Sequence, residues 1–131
     1  MAASVEKTTA DFIGHIELPM KFNEQRDMFS DTHPRYLKGA MEVLELAVQR
    51  DKLIEVNTGA ISRGYRTEPY PGRAVLTRLH EMGGRIILTS DCHSAGWIDF
   101  GFDQAAAIAR ACGFRTAWEM RGRELVEYEL G

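Results

Sequence analysis

The sequence predicts an α/β fold with parallel strands, on three observations. Short apolar runs of strand length alternate along the chain with longer segments of helical period. The run Ile86-Ile87-Leu88 is continuously apolar, the pattern wanted by a strand covered on both faces. Two of the helical segments stop at glycine, one at Gly83-Gly84 and one at Gly113.

Met1 to Ala10 is polar, small and aperiodic, so residues 1–10 are expected to form a loop or a disordered start, with one domain from 11 to 131. Asp11 to Leu18 carries Phe12, Ile13 and Ile16 and reads as a short buried strand that Pro19 ends. Lys21 to Asp31 is mixed and polar, a loop in the manner of a lid. Asp31 or Thr32 then offers an N-cap, and Pro34 suits a first helical turn. From Tyr36 to Val48, Tyr36, Leu37, Ala40, Val43, Leu44 and Ala47 recur every three or four residues, which is one apolar stripe of an amphipathic helix.

Leu53 to Val56 reads as the second strand, with Asn57, Thr58 and Gly59 as its end and turn. Ile61 to Gly72 holds Arg63, Gly64, Arg66, Pro69 and Pro71, a loop signature with two guanidinium groups in it. Arg73 to Met82 is helical by its Val75, Leu76 and Leu79 spacing, and Arg85 to Ser90 is the third strand. Phe102 to Cys112 is an alanine-rich helix. Arg115–Met120 and Leu125–Leu130 are two short terminal strands around Arg121-Gly122.

Composition narrows the function classes. The chain has 131 residues, 44% of them hydrophobic and 27% charged, which suits one globular domain with a real core. Its 16 basic and 19 acidic residues give a net charge of -3 and form no like-charged run, so nucleic acid is not the expected partner. No apolar stretch approaches the roughly 20 residues of a membrane span, and the start lacks the order of a signal peptide. Cys92 and Cys112 are neither closely spaced nor numerous, which fits a reduced compartment, and the expected location is cytoplasmic.

In parallel α/β architectures, side chains from several strands converge at their carboxyl ends, and ligands gather there. His15 lies in the first strand, Glu55 and Asn57 at the end of the second, and Asp91 and His93 just past the third. Period two puts His15 and Glu17 on one face of their strand, and Glu55 and Asn57 on one face of theirs. A carboxylate and an imidazole two residues apart can reach neighbouring metal positions, and both donors suit Zn, Mn or Fe. A lone strand histidine is more often a core or surface residue, and an Asp after a strand is often a helix cap. Coincidence at three strand ends favours the metal reading. Arg63 and Arg66 suit either a solvated loop or a clamp on a phosphate. His33 and His80 are expected at the surface, Cys92 in packing, and Trp97 and Phe100 in core filling with a possible share in the pocket wall.

Four segments carry a resemblance: Ile13-Gly14-His15-Ile16-Glu17-Leu18, Ile54-Glu55-Val56-Asn57-Thr58-Gly59, Glu68-Pro69-Tyr70-Pro71 and Thr89-Ser90-Asp91-Cys92-His93. In order and spacing they resemble successive motifs of the polymerase-and-histidinol-phosphatase (PHP) family, in its histidinol-phosphatase branch, from about Asp11 to Leu130. The resemblance implies a partial, distorted TIM-like (β/α)7 barrel of which the chain supplies the C-terminal βα units. It implies a cluster of divalent metal ions (Zn, Mn or Fe) and hydrolysis of a small phosphorylated metabolite, L-histidinol phosphate in histidine biosynthesis. By this correspondence His15, Asp91 and His93 are metal ligands, with Asp91 and His93 at the catalytic centre. Arg63 falls where the family tends to carry a basic residue near the substrate phosphate, and Arg63 or Arg66 is expected to clamp its non-bridging oxygens. The family's first motif, His-x-His, has no counterpart here, so the chain is expected to act with an N-terminal half or as a homo-oligomer. Three other readings are a non-catalytic half barrel that oligomerises or binds metal, a small α/β binding module whose resemblance is local, and a phosphoesterase with another substrate.

Overall fold

A computed structural model describes residues 12–13, 34–62, 69–90 and 101–131. Its strands are β1 (Phe12–Ile13), β2 (Leu53–Asn57), β3 (Ile86–Thr89), β4 (Thr116–Arg121) and β5 (Glu124–Glu129). Its helices are α1 (Pro34–Gln49), α2 (Gly59–Ser62), α3 (Arg73–Glu81) and α4 (Phe102–Ala111). The class is α/β as expected. The strands form one sheet in the order β1-β2-β3-β4-β5, with the first four parallel.

The last strand corrects the expectation of a parallel sheet. β5 pairs antiparallel with β4 over the full length of both, from Thr116 opposite Glu129 to Arg121 opposite Glu124. Only Gly122 and Arg123 separate the two strands, and so short a link permits nothing but a hairpin; a parallel return needs a dozen residues or more. Gly122, at φ 65°, takes the left-handed conformation that such a turn asks for. The expected loop of Ile61 to Gly72 is also altered at its start, where Ile61 and Ser62 belong to the single turn of α2.

Sequential parallel strands place successive helices over the sheet, and the three longer helices of the described residues share one face of it. The core joins Val43, Leu44 and Ala47 of α1, Val75, Leu76 and Leu79 of α3, and Ala105, Ile108 and Ala109 of α4 to Ile54, Val56, Ile86 and Ala117 of the sheet. Those of α1 and α3 are the helix positions expected from the three-and-four spacing. Period two then turns Leu53, Glu55, Asn57, Ile87, Thr89 and Trp118 to the other face. That second face is also buried at β2, where Leu53 and Asn57 have no exposed area.

All three of these helices stop in the same way. Lys52 N–H donates to Ala47 O, Gly84 N–H to Leu79 O, and Phe114 N–H to Ala109 O, at 2.9, 2.9 and 3.0 Å. Each bond follows a residue in the left-handed region: Asp51 at φ 55°, Gly83 at 77° and Gly113 at 111°. Asp51, the one non-glycine, is fastened by Arg85, whose Nη2 donates to its carboxylate at 2.7 Å and to its backbone carbonyl at 2.9 Å. The same guanidinium lies 4.9 Å from the centre of the Trp118 ring. Cys112, expected to be a reduced thiol, is free and buried, with its Sγ 3.7 Å from Arg73 O. Among the described residues no helix is long and apolar enough to cross a membrane.

His80 has a closer role than a surface residue usually has. It is exposed, but its ring meets Phe114 edge-on at 5.1 Å and covers Gly113, where an added Cβ would stand 2.4 Å from the imidazole Cδ2. Gly113→Ala therefore combines a strained backbone with a clash, and is expected to cost about 1–3 kcal/mol of stability in urea unfolding. His80→Ala in the same background is expected to recover the part due to the clash and leave the backbone part.

Candidate functional site

β2 is short, rich in aliphatic residues and buried at every position, yet its third and fifth residues are polar. A polar group in such a place must find hydrogen-bond partners, since an unpaired one costs on the order of 1–3 kcal/mol. Glu55 and Asn57 find them across the gap to β3 and along their own strand. Thr89 Oγ1 donates to Glu55 Oε1 at 2.5 Å, and Asn57 Nδ2 donates to the same oxygen at 3.2 Å. Asn57 Oδ1 accepts the backbone N–H of Gly59 at 2.8 Å.

The register explains why these residues meet. Asn57 stands opposite Thr89, and Glu55 opposite Ile87, so Glu55 reaches one step diagonally to the hydroxyl. Thr58, which follows Asn57, donates to Thr89 O through its backbone N–H at 2.9 Å and through its hydroxyl at 3.2 Å. The end of β3 is thus held to the end of β2 by side chain and main chain together. Beyond it, Ser90 is buried.

A second chain segment is tied to the same place. Asn57 N–H donates to Tyr70 O at 2.8 Å and Tyr70 N–H to Asn57 O at 3.1 Å, so the loop that leaves at Thr58 returns to the strand it left. Tyr70 is fully buried. Gly101, at φ 77°, sits over Thr58, where an added Cβ would lie 3.3 Å from the threonine Cβ; α4 begins from this close approach.

The five residues expected to carry the chemistry, His15, Arg63, Arg66, Asp91 and His93, lie outside the described residues, as do His33, Cys92, Trp97 and Phe100. What is described is the frame from which they leave. His15 follows β1 by two residues, Arg63 follows α2 directly, and Asp91 follows Ser90. All three departures lie at carboxyl ends of strands or in the loop leaving one. Glu55 and Asn57 stand together, as their spacing in sequence requires. Thr58, Thr89 and Tyr70 were not singled out; period two hints at Thr89, but the register that pairs it with Asn57 does not show in a single segment.

Among the described residues, no group of three or more His, Cys, Asp and Glu stands close enough to hold a metal ion. Glu55, the buried carboxylate of β2, is already engaged by a hydroxyl and an amide. A cavity of about 660 Å³ lined by Arg110, Phe114, Arg115, Thr116 and Glu129 opens instead at the start of β4. That is the amino end of the strands, where such folds invest in stability rather than chemistry. On the helix side of the hairpin, burial and then the Glu119 carboxylate push the Tyr128 phenol above its usual pKa, with no bearing on the strand ends.

No protein-family model matches the chain. Two curated proteins are similar to it. A probable histidinol-phosphatase of Deinococcus radiodurans is 31% identical over 109 residues, covering 81% of this chain and 37% of that protein. A probable histidinol-phosphatase of Schizosaccharomyces pombe is 24% identical over 110 residues, covering 79% and 34%. The chain thus spans just over a third of the length of these relatives.

Asn57→Ala removes both the acceptor for Gly59 N–H and a donor to Glu55. It is expected to destabilise the chain by about 1–3 kcal/mol. Amide exchange of Gly59 and Tyr70 should accelerate more than that of Leu76 or Ile108, because the loop anchors at Asn57 while the helices do not.

Proposed function

We propose that the chain forms part of a metal-dependent phosphomonoesterase whose substrate is histidinol phosphate. The observation that carries this reading is the buried polar cluster of Glu55, Asn57, Thr58 and Thr89 at the carboxyl ends of β2 and β3. Sequential parallel strands with their helices on one face are what a sector of a closed barrel has. Both relatives bear the name probable histidinol-phosphatase, which points to the same chemistry.

In this reading Asp91 and His93 leave the end of β3 as metal ligands and His15 leaves β1 as a third. A hard carboxylate oxygen and two imidazoles form a donor set that fits Zn, Mn or Fe. Such ions, held by His15, Asp91 and His93, would supply a water of lowered pKa and neutralise phosphate charge. Arg63 and Arg66 lie in the loop that Asn57 and Tyr70 close, and their planar guanidinium groups bind the non-bridging phosphate oxygens and stabilise charge that grows in the transition state. Thr58 and Gly59 fix the root of that loop, so the arginines approach from a rigid base. The location proposed is cytoplasmic, and the remaining strands and ligands come from an N-terminal half or a second copy.

Hydrolysis of L-histidinol phosphate by the chain, alone and together with the N-terminal part of a histidinol-phosphatase, tests this. Activity is expected to need Mn, Zn or Fe, to vanish with chelator and to return with metal. His93→Ala is expected to lower it on the order of 100-fold or more, the scale set by loss of one charge-stabilising group. Activity of His93→Ala within a few-fold of the unaltered protein would overturn the assignment. A monomer that binds no metal in either setting would identify a non-catalytic half barrel.

A further inference from the structure

We infer that Glu55 is a positioning residue, one carboxylate that holds in register the two segments carrying the proposed chemistry. The inference rests on the functional reading above and adds to it a residue that touches neither substrate nor metal.

Strand stability does not account for Glu55. It occupies the middle of a strand whose every residue is buried, a place where valine or isoleucine packs at no electrostatic cost. A carboxylate there must be compensated by hydrogen bonds, and Glu55 is. Its Oε1 accepts from Thr89 Oγ1 at 2.5 Å and from Asn57 Nδ2 at 3.2 Å. A sheet needs no such bond, because the ladder between β2 and β3 already supplies the backbone pairing.

What the carboxylate does is visible in two of its donors. Thr89 is the last residue of β3, and Ser90 alone separates it from Asp91. With its carbonyl held by Thr58 and its hydroxyl by Glu55, Thr89 cannot rotate or slide without breaking three bonds. The Asp91–His93 segment therefore leaves from a fixed point. Asn57, the other donor, roots the arginine loop at both ends, through Gly59 and through Tyr70. Glu55 also decides which way its amide faces. With Nδ2 given to the carboxylate, Oδ1 is left for Gly59 N–H; reversed, the amide would present a donor to a donor. One oxygen, Oε1, thus sets the root of the phosphate-binding loop and the exit of the metal-binding segment.

The test uses the full chain, alone and together with the N-terminal part of a histidinol-phosphatase, with Mn²⁺ as probe, affinity read by titration calorimetry and stability by thermal unfolding without metal. Thr89→Val keeps the shape and removes the donor. It is expected to weaken Mn²⁺ binding on the order of 10–100-fold, the usual scale for losing a group that orients a metal ligand. Thr89→Ser, which keeps the hydroxyl, is expected to bind Mn²⁺ as the unaltered chain does. Should Thr89→Val fail to fold, Glu55→Gln, of the same size and without the charge, takes its place and is expected to weaken binding likewise. His93→Ala is the control. If it loses Mn²⁺ binding while Thr89→Val or Glu55→Gln keeps it unchanged, the positioning role is overturned and the functional reading stands. If the unaltered chain binds no Mn²⁺ even with the N-terminal part of a histidinol-phosphatase, or His93→Ala binds it undiminished there, the functional reading falls and this inference with it.

Discussion

A carboxylate in the interior of a parallel sheet has to be answered by donors, and most of what is distinctive in this chain follows from how Glu55 is answered. Because Asn57 and Thr89 supply the donors, they must face the same side of the sheet and stand side by side, which fixes the register of β2 on β3. Because Asn57 is used in this way, its remaining oxygen is free to hold Gly59, and the chain can turn at once into α2. The helix-facing side of the same strands is the reverse: Ile54, Val56 and Ile86 join an apolar core with no hydrogen-bonding duty. Two faces of one strand thus divide cohesion from placement.

The ends of the strands are divided in a similar way. At the amino ends, Asp51, Arg85, Trp118, His80 and Gly113 lock helix stops against strand starts through an ion pair, a cation–π contact and a close-packed glycine. At the carboxyl ends, hydrogen bonds from Thr58, Thr89 and Tyr70 root the segments that leave the sheet. Such folds commonly put stability at one end and chemistry at the other.

Much of this was legible in the sequence. The spacing of Val43, Leu44 and Ala47, and of Val75, Leu76 and Leu79, named the buried helix faces, because a helix in a globular protein has one way to hide an apolar stripe. Gly83 and Gly113 marked their helix ends, since few residues accept a left-handed backbone. Asp51 did the same work without a glycine to announce it. The direction of β5 was misread with the class, although the two-residue link at Gly122-Arg123 contained the answer. Of the polar cluster, Glu55 and Asn57 could be paired by period two, whereas Thr89 belongs to it only through register, which is a property of two strands and not of either. The metal ligands and arginines are read from placement at strand ends, donor chemistry and motif order; the described frame adds where their segments leave.

The repeated helix stop has a consequence of its own. At Asp51, Gly83 and Gly113 the chain leaves a helix with the same hydrogen bond and the same left-handed step, so each βα unit hands over to the next at a standard joint. Joints of one kind make units interchangeable in principle: a segment can be lengthened, replaced or recombined between two such stops with little change in the direction in which the next strand sets out. Modularity of this sort offers a physical route by which βα units are exchanged while the direction of the following strand is kept.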